Sequence, residues 1–126
     1  MTSDSEPTRR GWIAKFGFAF RGLAFAIRTQ NSFWVHLPIT ICVVVLASIL
    51  QVGTWQWVAL TLATAMVFAT ELLNTAIEQL VKVLHPDHDP RIGHALDMAA
   101  AGVLATSIGA VIVGVIVLGP PLAALF

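Results

Sequence analysis

Three long stretches without a charged side chain constrain the fold more than any other feature of this sequence. No Asp, Glu, Lys or Arg occurs in residues 33–50, in residues 51–70 or in residues 98–126. A helix needs roughly 20 apolar residues to cross a hydrocarbon core about 30 Å thick. The sequence therefore predicts an all-α membrane protein with three transmembrane helices.

The composition agrees with a membrane protein. Of the 126 residues, 57% are hydrophobic and 11% are charged, and that charged fraction is about half of what soluble domains carry. The net charge of zero gives no indication of a nucleic-acid partner. Lys15, Arg21 and Arg28 interrupt the apolar residues of the first 30 positions, so we expect no cleaved signal peptide.

The chain divides into a polar lead-in and a single domain. Residues 1–8 are expected to be disordered, and the domain covers 9–126. Its predicted parts are an N-terminal amphipathic surface helix (9–29) and three transmembrane helices (33–50, 55–83 and 94–118). Asn31 or Ser32 is a candidate cap for the first transmembrane helix. The Gly119-Pro120-Pro121 sequence is expected to end the third.

The surface helix is predicted from its two-sided pattern. At 100° per residue, Trp12, Phe16 and Phe20 share one side, and Arg21 and Arg28 cluster on another. Such a helix lies in the plane of the membrane surface. A soluble amphipathic helix would show the same pattern, but this chain offers no soluble partner for it.

The basic residues predict the orientation. Five precede the first transmembrane helix, two flank the second connection, and none lies in the first connection. They are Arg9, Arg10, Lys15, Arg21, Arg28, Lys82 and Arg91. The excess of Lys and Arg in cytoplasmic segments therefore predicts that the N-terminus and residues 83–94 are cytoplasmic and that the C-terminus is outside.

A polar cluster lies near the cytoplasmic end of the second transmembrane helix. Glu71, Asn74 and Glu78 are spaced i, i+3 and i+7, which places them on one face, with the carboxylates about 10.5 Å apart along the axis. Asp97 opens the third helix at a similar depth. We expect these four side chains to converge close to the membrane surface.

The cluster has three chemical interpretations. It can bind a divalent cation with nucleotide phosphates, relay protons, or hold helices together by hydrogen bonds. Ionisable residues inside a membrane mark functional sites by default, which favours a site. Behind Asp97, the small residues Ala101, Ala105 and Gly109 form a ridge that permits close helix packing.

The histidine residues indicate a functional site less clearly than the polar cluster does. His36 is interpreted as an anchor at the membrane interface. The "HPDHD" segment (85–89) fits no strong zinc pattern and is interpreted as a solvated loop. The sequence has no GxxxxGK[ST] motif, so a bound nucleotide would not use a P-loop.

Three segments together resemble a known family. These are "ELLNTAIE" (71–78), "ALDMAAAGVL" (95–104), whose Asp follows 19 residues after Glu78, and "FRGLAFAIRTQNSFWVH" (20–36). They resemble the small prokaryotic integral-membrane diacylglycerol kinase family, which includes undecaprenol kinases, and the similarity covers about residues 9–118.

The resemblance implies both an assembly and a reaction. The assembly is a homotrimer in the bacterial inner membrane with active sites shared between neighbouring subunits. The reaction transfers the γ-phosphate of MgATP to a membrane lipid alcohol, diacylglycerol or undecaprenol, at the cytoplasmic face.

Roles for individual residues follow from the same resemblance. Glu71 matches the catalytic base, and Asn74 matches a polar residue beside it. Glu78 matches a carboxylate that binds Mg²⁺, and Asp97 an acidic residue of the nucleotide site. Gln30 stands where many members have a second metal-binding glutamate. These roles suit a reaction in which a hydroxyl loses its proton and the transferred phosphoryl group needs charge compensation.

The sequence departs from the family pattern at Gln30, Trp34, Lys82 and Leu96, and the departure at Leu96 bears most on the chemistry. Leu96 stands where the pattern has a lysine that contacts ATP phosphates. Lys82, one turn after Glu78, is our first candidate to supply the missing charge at the nucleotide site, and Arg91 and His94 are the other candidates. The alternatives are a catalytically altered member that binds lipid or nucleotide, and a small proton-coupled transporter that uses Glu71 and Glu78.

Overall fold

The computed structural model of the protein describes residues 9–126, which form four helices and no strand. In chain order the helices are α1 (Arg9–Thr29), α2 (Asn31–Ile49), α3 (Thr54–Leu84) and α4 (Pro90–Ala123). The prediction of an all-α fold is confirmed. The predicted lead-in, residues 1–8, lies outside the described residues.

Three of these helices, α2, α3 and α4, are long and apolar enough to cross a membrane. Helix α3 has 31 residues, which corresponds to a length of about 46 Å. Since the hydrocarbon core is about 30 Å thick, one end of α3 extends beyond it. The polar residues Glu71, Asn74 and Glu78 lie in the C-terminal half of α3.

Helix α1 joins α2 through the single residue Gln30. The backbone N–H of Gln30 donates to the carbonyl of Ala26 at 2.9 Å, so the chain turns with little interruption between the two helices. Gln30 is the N-cap of α2, and no side chain caps it. The prediction of a cap at Asn31 or Ser32 is therefore wrong.

Helix α1 packs against α2 and α3 through a narrow surface. Ala26 is buried there, whereas Trp12, Phe16 and Phe20 are exposed. An exposed row of large aromatic side chains is what a helix at a membrane surface presents to lipid.

Helices α3 and α4 form an antiparallel hairpin joined by residues 85–89. Helix α4 begins at Pro90, four residues before the predicted start. The Asp89 carboxylate accepts a hydrogen bond from the backbone N–H of Arg91 at 2.9 Å, and proline is favoured at the first helical position because it needs no N–H partner there. The Arg91 guanidinium also bonds this carboxylate and holds the pKa of Asp89 below its usual value.

Helix α4 also ends later than expected. It continues through Pro120 and Pro121 to Ala123, so the predicted stop at Gly119 is wrong. Each proline lacks the N–H that would bond the carbonyl four residues before it, and its ring crowds that carbonyl. The next turn closes normally, since the N–H of Ala124 donates to the carbonyl of Pro120 at 3.1 Å.

The apolar core lies at one end of the bundle, which we call the turn end because α2 and α3 are joined there by residues 50–53. Ala47, Leu60, Val117 and Leu118 are buried together at this end. The opposite end, where residues 85–89 join α3 and α4, we call the loop end. Packing at the turn end holds the three long helices together and leaves the polar residues near the loop end.

Candidate active site

The most buried charged side chain among the described residues is Glu71 on α3, which is 6% exposed. Its Oε1 lies 3.0 Å from Nε2 of His36 on α2. When the carboxylate is ionised it has no proton to donate, and the imidazole N–H at Nε2 is then the donor of this hydrogen bond. The contact joins helices α2 and α3.

Aromatic side chains pack around this pair. The ring of Phe68, one turn before Glu71, meets the His36 imidazole edge to face at 6.3 Å between centroids. Phe33, one turn before His36 and fully buried, stacks on Phe68 at 5.8 Å. These contacts fix where α2 and α3 lie relative to each other beside Glu71.

A second hydrogen bond lies one to two turns further along α3. The Asn74 Nδ2 donates to Oε1 of Glu78 at 3.1 Å. The other polar atom of the amide, Oδ1, is buried without a hydrogen-bond partner among the described residues. Buried acceptors are nearly always satisfied by protein or water, so this oxygen needs a donor from water, a ligand or another subunit.

Asp97 does not join the other three polar residues within one chain. The Oγ1 atoms of Thr70 and Thr106 are 2.9 Å apart, which sets the register of the α3–α4 hairpin and places Asp97 at the depth of Glu78. However, Asp97 precedes Thr106 by nine residues, about two and a half helical turns. It therefore points away from α3 and is exposed.

The expected convergence of all four side chains in a single chain is therefore wrong. The spacing of the residues predicted the depth of Asp97 correctly. It could not predict which face of α4 packs against α3. Ala101, Ala105 and Gly109, which follow Asp97 on nearly the same side, are likewise exposed. In one chain the predicted small-residue ridge has no helix packed on it.

The remaining predicted site residues lie close to the loop end. Lys82 is exposed in the last turn of α3, about 6 Å along the axis from Glu78, and forms no ion pair or side-chain hydrogen bond with another described residue. Gln30 is the N-cap of α2 and lies six residues before His36. Helices α2 and α3 are antiparallel and meet where His36 contacts Glu71. Because Gln30 precedes His36 by six residues and Glu78 follows Glu71 by seven, Gln30 lies at about the same depth as Glu78.

A magnesium site built from protein alone is not present in the part of the chain that the structure describes. No three His, Cys, Asp or Glu side chains there are close enough to hold a metal ion. Mg²⁺ usually keeps several waters and binds one or two carboxylates together with substrate phosphates. Glu78 and the amide oxygens of Asn74 and Gln30 are hard oxygen ligands of this type, so the available residues fit such a site.

An apolar groove between α1 and α3 runs beside the polar residues. Its volume is about 750 Å³, and it opens to the surroundings. Ala19, Gly22 and Phe25 line it from α1, and Thr75 and Gln79, direct neighbours of Asn74 and Glu78, line it from α3. The groove offers room for an apolar chain, and neither carboxylate of α3 lines it.

The sequence interpretation missed His36 as part of the site. We expected an interfacial anchor, and the structure places its imidazole on Glu71. The sequence feature that could have indicated this contact is the depth of His36 along its helix. His36 occupies the second turn of a helix antiparallel to α3, where α3 carries an acid at a corresponding depth. Side-chain direction, which decides the contact, cannot be read from depth alone.

These features describe a small helical membrane protein with one carboxylate, that of Glu71, buried toward the loop end and an apolar groove between α1 and α3. The family model for prokaryotic diacylglycerol kinases matches residues 17–118. The chain belongs to this family.

Several characterised relatives support the assignment. A diacylglycerol kinase of Synechocystis sp. is 35% identical over 114 residues, which cover 90% of this chain and 65% of that protein. An undecaprenol kinase of Bacillus subtilis is 30% identical over 88% of this chain and 90% of its own length. A diacylglycerol kinase of Escherichia coli K12 is 32% identical over 84% and 87%, respectively. No solved structure matches the chain at a significant level.

Proposed function

We propose that this protein is a lipid kinase that transfers the γ-phosphate of MgATP to the hydroxyl of a membrane lipid alcohol. The observation that carries the proposal is the position of Glu71. It is a buried carboxylate with one oxygen held by His36, on the helix that also lines an apolar groove for a lipid chain. Membership of a lipid kinase family supports the same reaction.

In the proposed reaction Glu71 is the general base. The lipid chain occupies the groove between α1 and α3, and its hydroxyl approaches Oε2 of Glu71. As the hydroxyl oxygen forms a bond to the γ-phosphorus, its proton passes to the carboxylate, and the bond between the γ-phosphorus and the bridging oxygen breaks to release ADP. A positioned base contributes typically 100- to 10,000-fold to such a step.

The phosphates are assigned to the loop end of the site. Glu78 and the amide oxygens of Asn74 and Gln30 would hold Mg²⁺, which supplies charge compensation for the phosphates when bound. Lys82, one turn beyond Glu78, contributes a positive charge to the same region. Asp97 belongs to the nucleotide site but points away from α3.

The direction of Asp97 supports a site that is shared between subunits of a homotrimer. Within one chain Asp97 cannot reach Glu78, and the small residues Ala101, Ala105 and Gly109 next to it are exposed. A neighbouring subunit packed on this ridge would bring Asp97 of one chain to α3 of another. Mixing inactive Glu71→Gln subunits with inactive Asp97→Asn subunits should then restore part of the activity, whereas each variant alone stays inactive.

We place the loop end in the cytoplasm of a bacterium, with the protein in the inner membrane. The distribution of Lys and Arg supports this orientation, and ATP is available only on that side. The acceptor lipid is diacylglycerol or undecaprenol, since relatives are named for each.

The experiment is a transfer assay on the purified protein. Radiolabelled γ-phosphate from MgATP is offered with diacylglycerol and with undecaprenol in separate mixed micelles. We expect a labelled phospholipid from at least one of them, and no product when Mg²⁺ is chelated. Absence of product with both lipids, while nucleotide or lipid still binds, would instead support the alternative of a catalytically altered family member, as would recovery of transfer in Leu96→Lys.

A further inference from the structure

The contact between His36 and Glu71 is the only side-chain hydrogen bond that joins α2 to α3 in the part of the chain described by the structure. The carboxylate in this contact belongs to the buried Glu71, which we propose to be the general base. Glutamate reaches its carboxylate through three rotatable bonds, so an unrestrained Glu71 would sample several positions.

The hydrogen bond between His36 and Glu71 holds the Glu71 carboxylate in one orientation. The His36 Nε2 lies 3.0 Å from Oε1, and Oε2 has no hydrogen-bond partner among the described residues. The imidazole is itself held, because Phe68 meets it edge to face and because His36 is part of the regular backbone of α2. The Thr40 hydroxyl donates to the His36 carbonyl at 2.8 Å, one turn further along α2.

We infer that His36 is a positioning residue that holds the Glu71 carboxylate on the lipid hydroxyl. The inference rests on the proposed function, since it needs Glu71 to be the base. His36 acts through Glu71 and does not touch the substrate. Removing the imidazole would leave the carboxylate in place on α3 but free to turn away from the hydroxyl.

The inference predicts a particular kinetic pattern. Misplacement of a catalytic group by about 1 Å can lower a rate roughly 100-fold, so we expect His36→Leu to lower kcat about 10- to 100-fold. The KM values for ATP and lipid should change little, because His36 binds neither. His36→Gln should retain most of kcat, since the Gln amide can donate to Oε1 from a similar reach.

A spectroscopic measurement tests the contact without any turnover. The imidazole nitrogens of ¹⁵N-histidine-labelled protein in detergent micelles report on the donor at Nε2, and the His36→Gln variant identifies the His36 signals. We expect these signals to shift in Glu71→Gln. The signals of His88, in the exposed loop, should stay unchanged.

Matched variants separate the outcomes. His88→Leu and His88→Gln remove a histidine far from Glu71 and should leave kcat unchanged. If wild type transfers phosphate and His36→Leu keeps full kcat, the positioning role is wrong although the proposed function stands. Loss of kcat in both His36→Leu and His36→Gln, with no response of the His36 signals to Glu71→Gln, would also overturn it. If wild type transfers no phosphate to either lipid, the proposed function fails first and the positioning role with it.

Discussion

Lys82 is the residue for which the structure gives the most specific expectation. In the proposed site a cation must replace the lysine that the family pattern has at Leu96. Arg91 is a poor substitute, because its guanidinium already bonds the Asp89 carboxylate at 3.0 Å. Lys82 has no such partner among the described residues, and it follows Glu78 by one turn on the same face of α3.

The distance between Lys82 and Glu78 determines how much the loss of the Lys82 charge should lower the rate. One helical turn separates Lys82 from Glu78 by about 6 Å along the axis. A phosphate charge held beside Glu78 by Mg²⁺ would lie at a similar distance from Lys82. Two unit charges at that distance interact by about 0.7 kcal/mol in water and about 2.8 kcal/mol at an effective dielectric constant of 20. A value of about 1.4 kcal/mol lies between these limits and corresponds to a tenfold change in rate.

We therefore predict that Lys82→Ala lowers phosphoryl transfer at least tenfold, as measured by the initial rate of labelled lipid formation at saturating lipid. Lys82→Arg keeps the charge and should retain most of the rate, and Leu96→Lys should be tolerated or lower the KM for ATP. Full activity of Lys82→Ala would show that Lys82 does not supply the missing charge, and His94 or Arg91 would then be its source.

Three further predictions concern metal binding, topology and the start of α4. Glu78→Gln should abolish transfer at ordinary Mg²⁺ and weaken MgATP binding in calorimetry, whereas Asp87→Asn, the same change in the exposed loop, should leave both unaltered. A reporter inserted at Asp87 should be cytoplasmic and one fused after Phe126 extracytoplasmic; the reverse result would contradict the site assignment. Because the pKa of Asp89 is lowered in the folded protein, its cap stabilises α4 at neutral pH and is lost as pH falls below about 4. Hydrogen exchange of the Arg91 amide should therefore accelerate in acid relative to its intrinsic rate, and Asp89→Ala should accelerate it at neutral pH; no change in that variant would argue against the cap.

The helices were predictable because membrane insertion leaves a direct trace in sequence. A helix that crosses a hydrocarbon core must exclude charge over its length, so the uncharged stretches indicate three spanning helices. The helix termini follow local backbone chemistry that is weaker than this signal. The Asp89-Pro90 pair starts α4 earlier than the proline-broken loop suggested, and Pro120 does not stop it.

The site was only partly predictable, for a geometrical reason. Residues on one helix share a face that spacing determines, and Asn74 and Glu78 indeed form a hydrogen bond. Contacts between helices depend on the rotation of each helix about its axis, which the spacing within a helix does not determine. That rotation brings His36 to Glu71 and turns Asp97 away.

In the proposed reaction, phosphoryl transfer to a lipid depends on the carboxylate of Glu71, so the transfer rate of Glu71→Gln decides whether this residue is the base. The substitution keeps the size and a hydrogen-bonding group but removes the base. We predict that kcat with MgATP and the preferred lipid falls about 100- to 10,000-fold, while MgATP still binds and Asp87→Asn retains the wild-type rate. A Glu71→Gln protein that transfers phosphate at the wild-type rate would contradict the account.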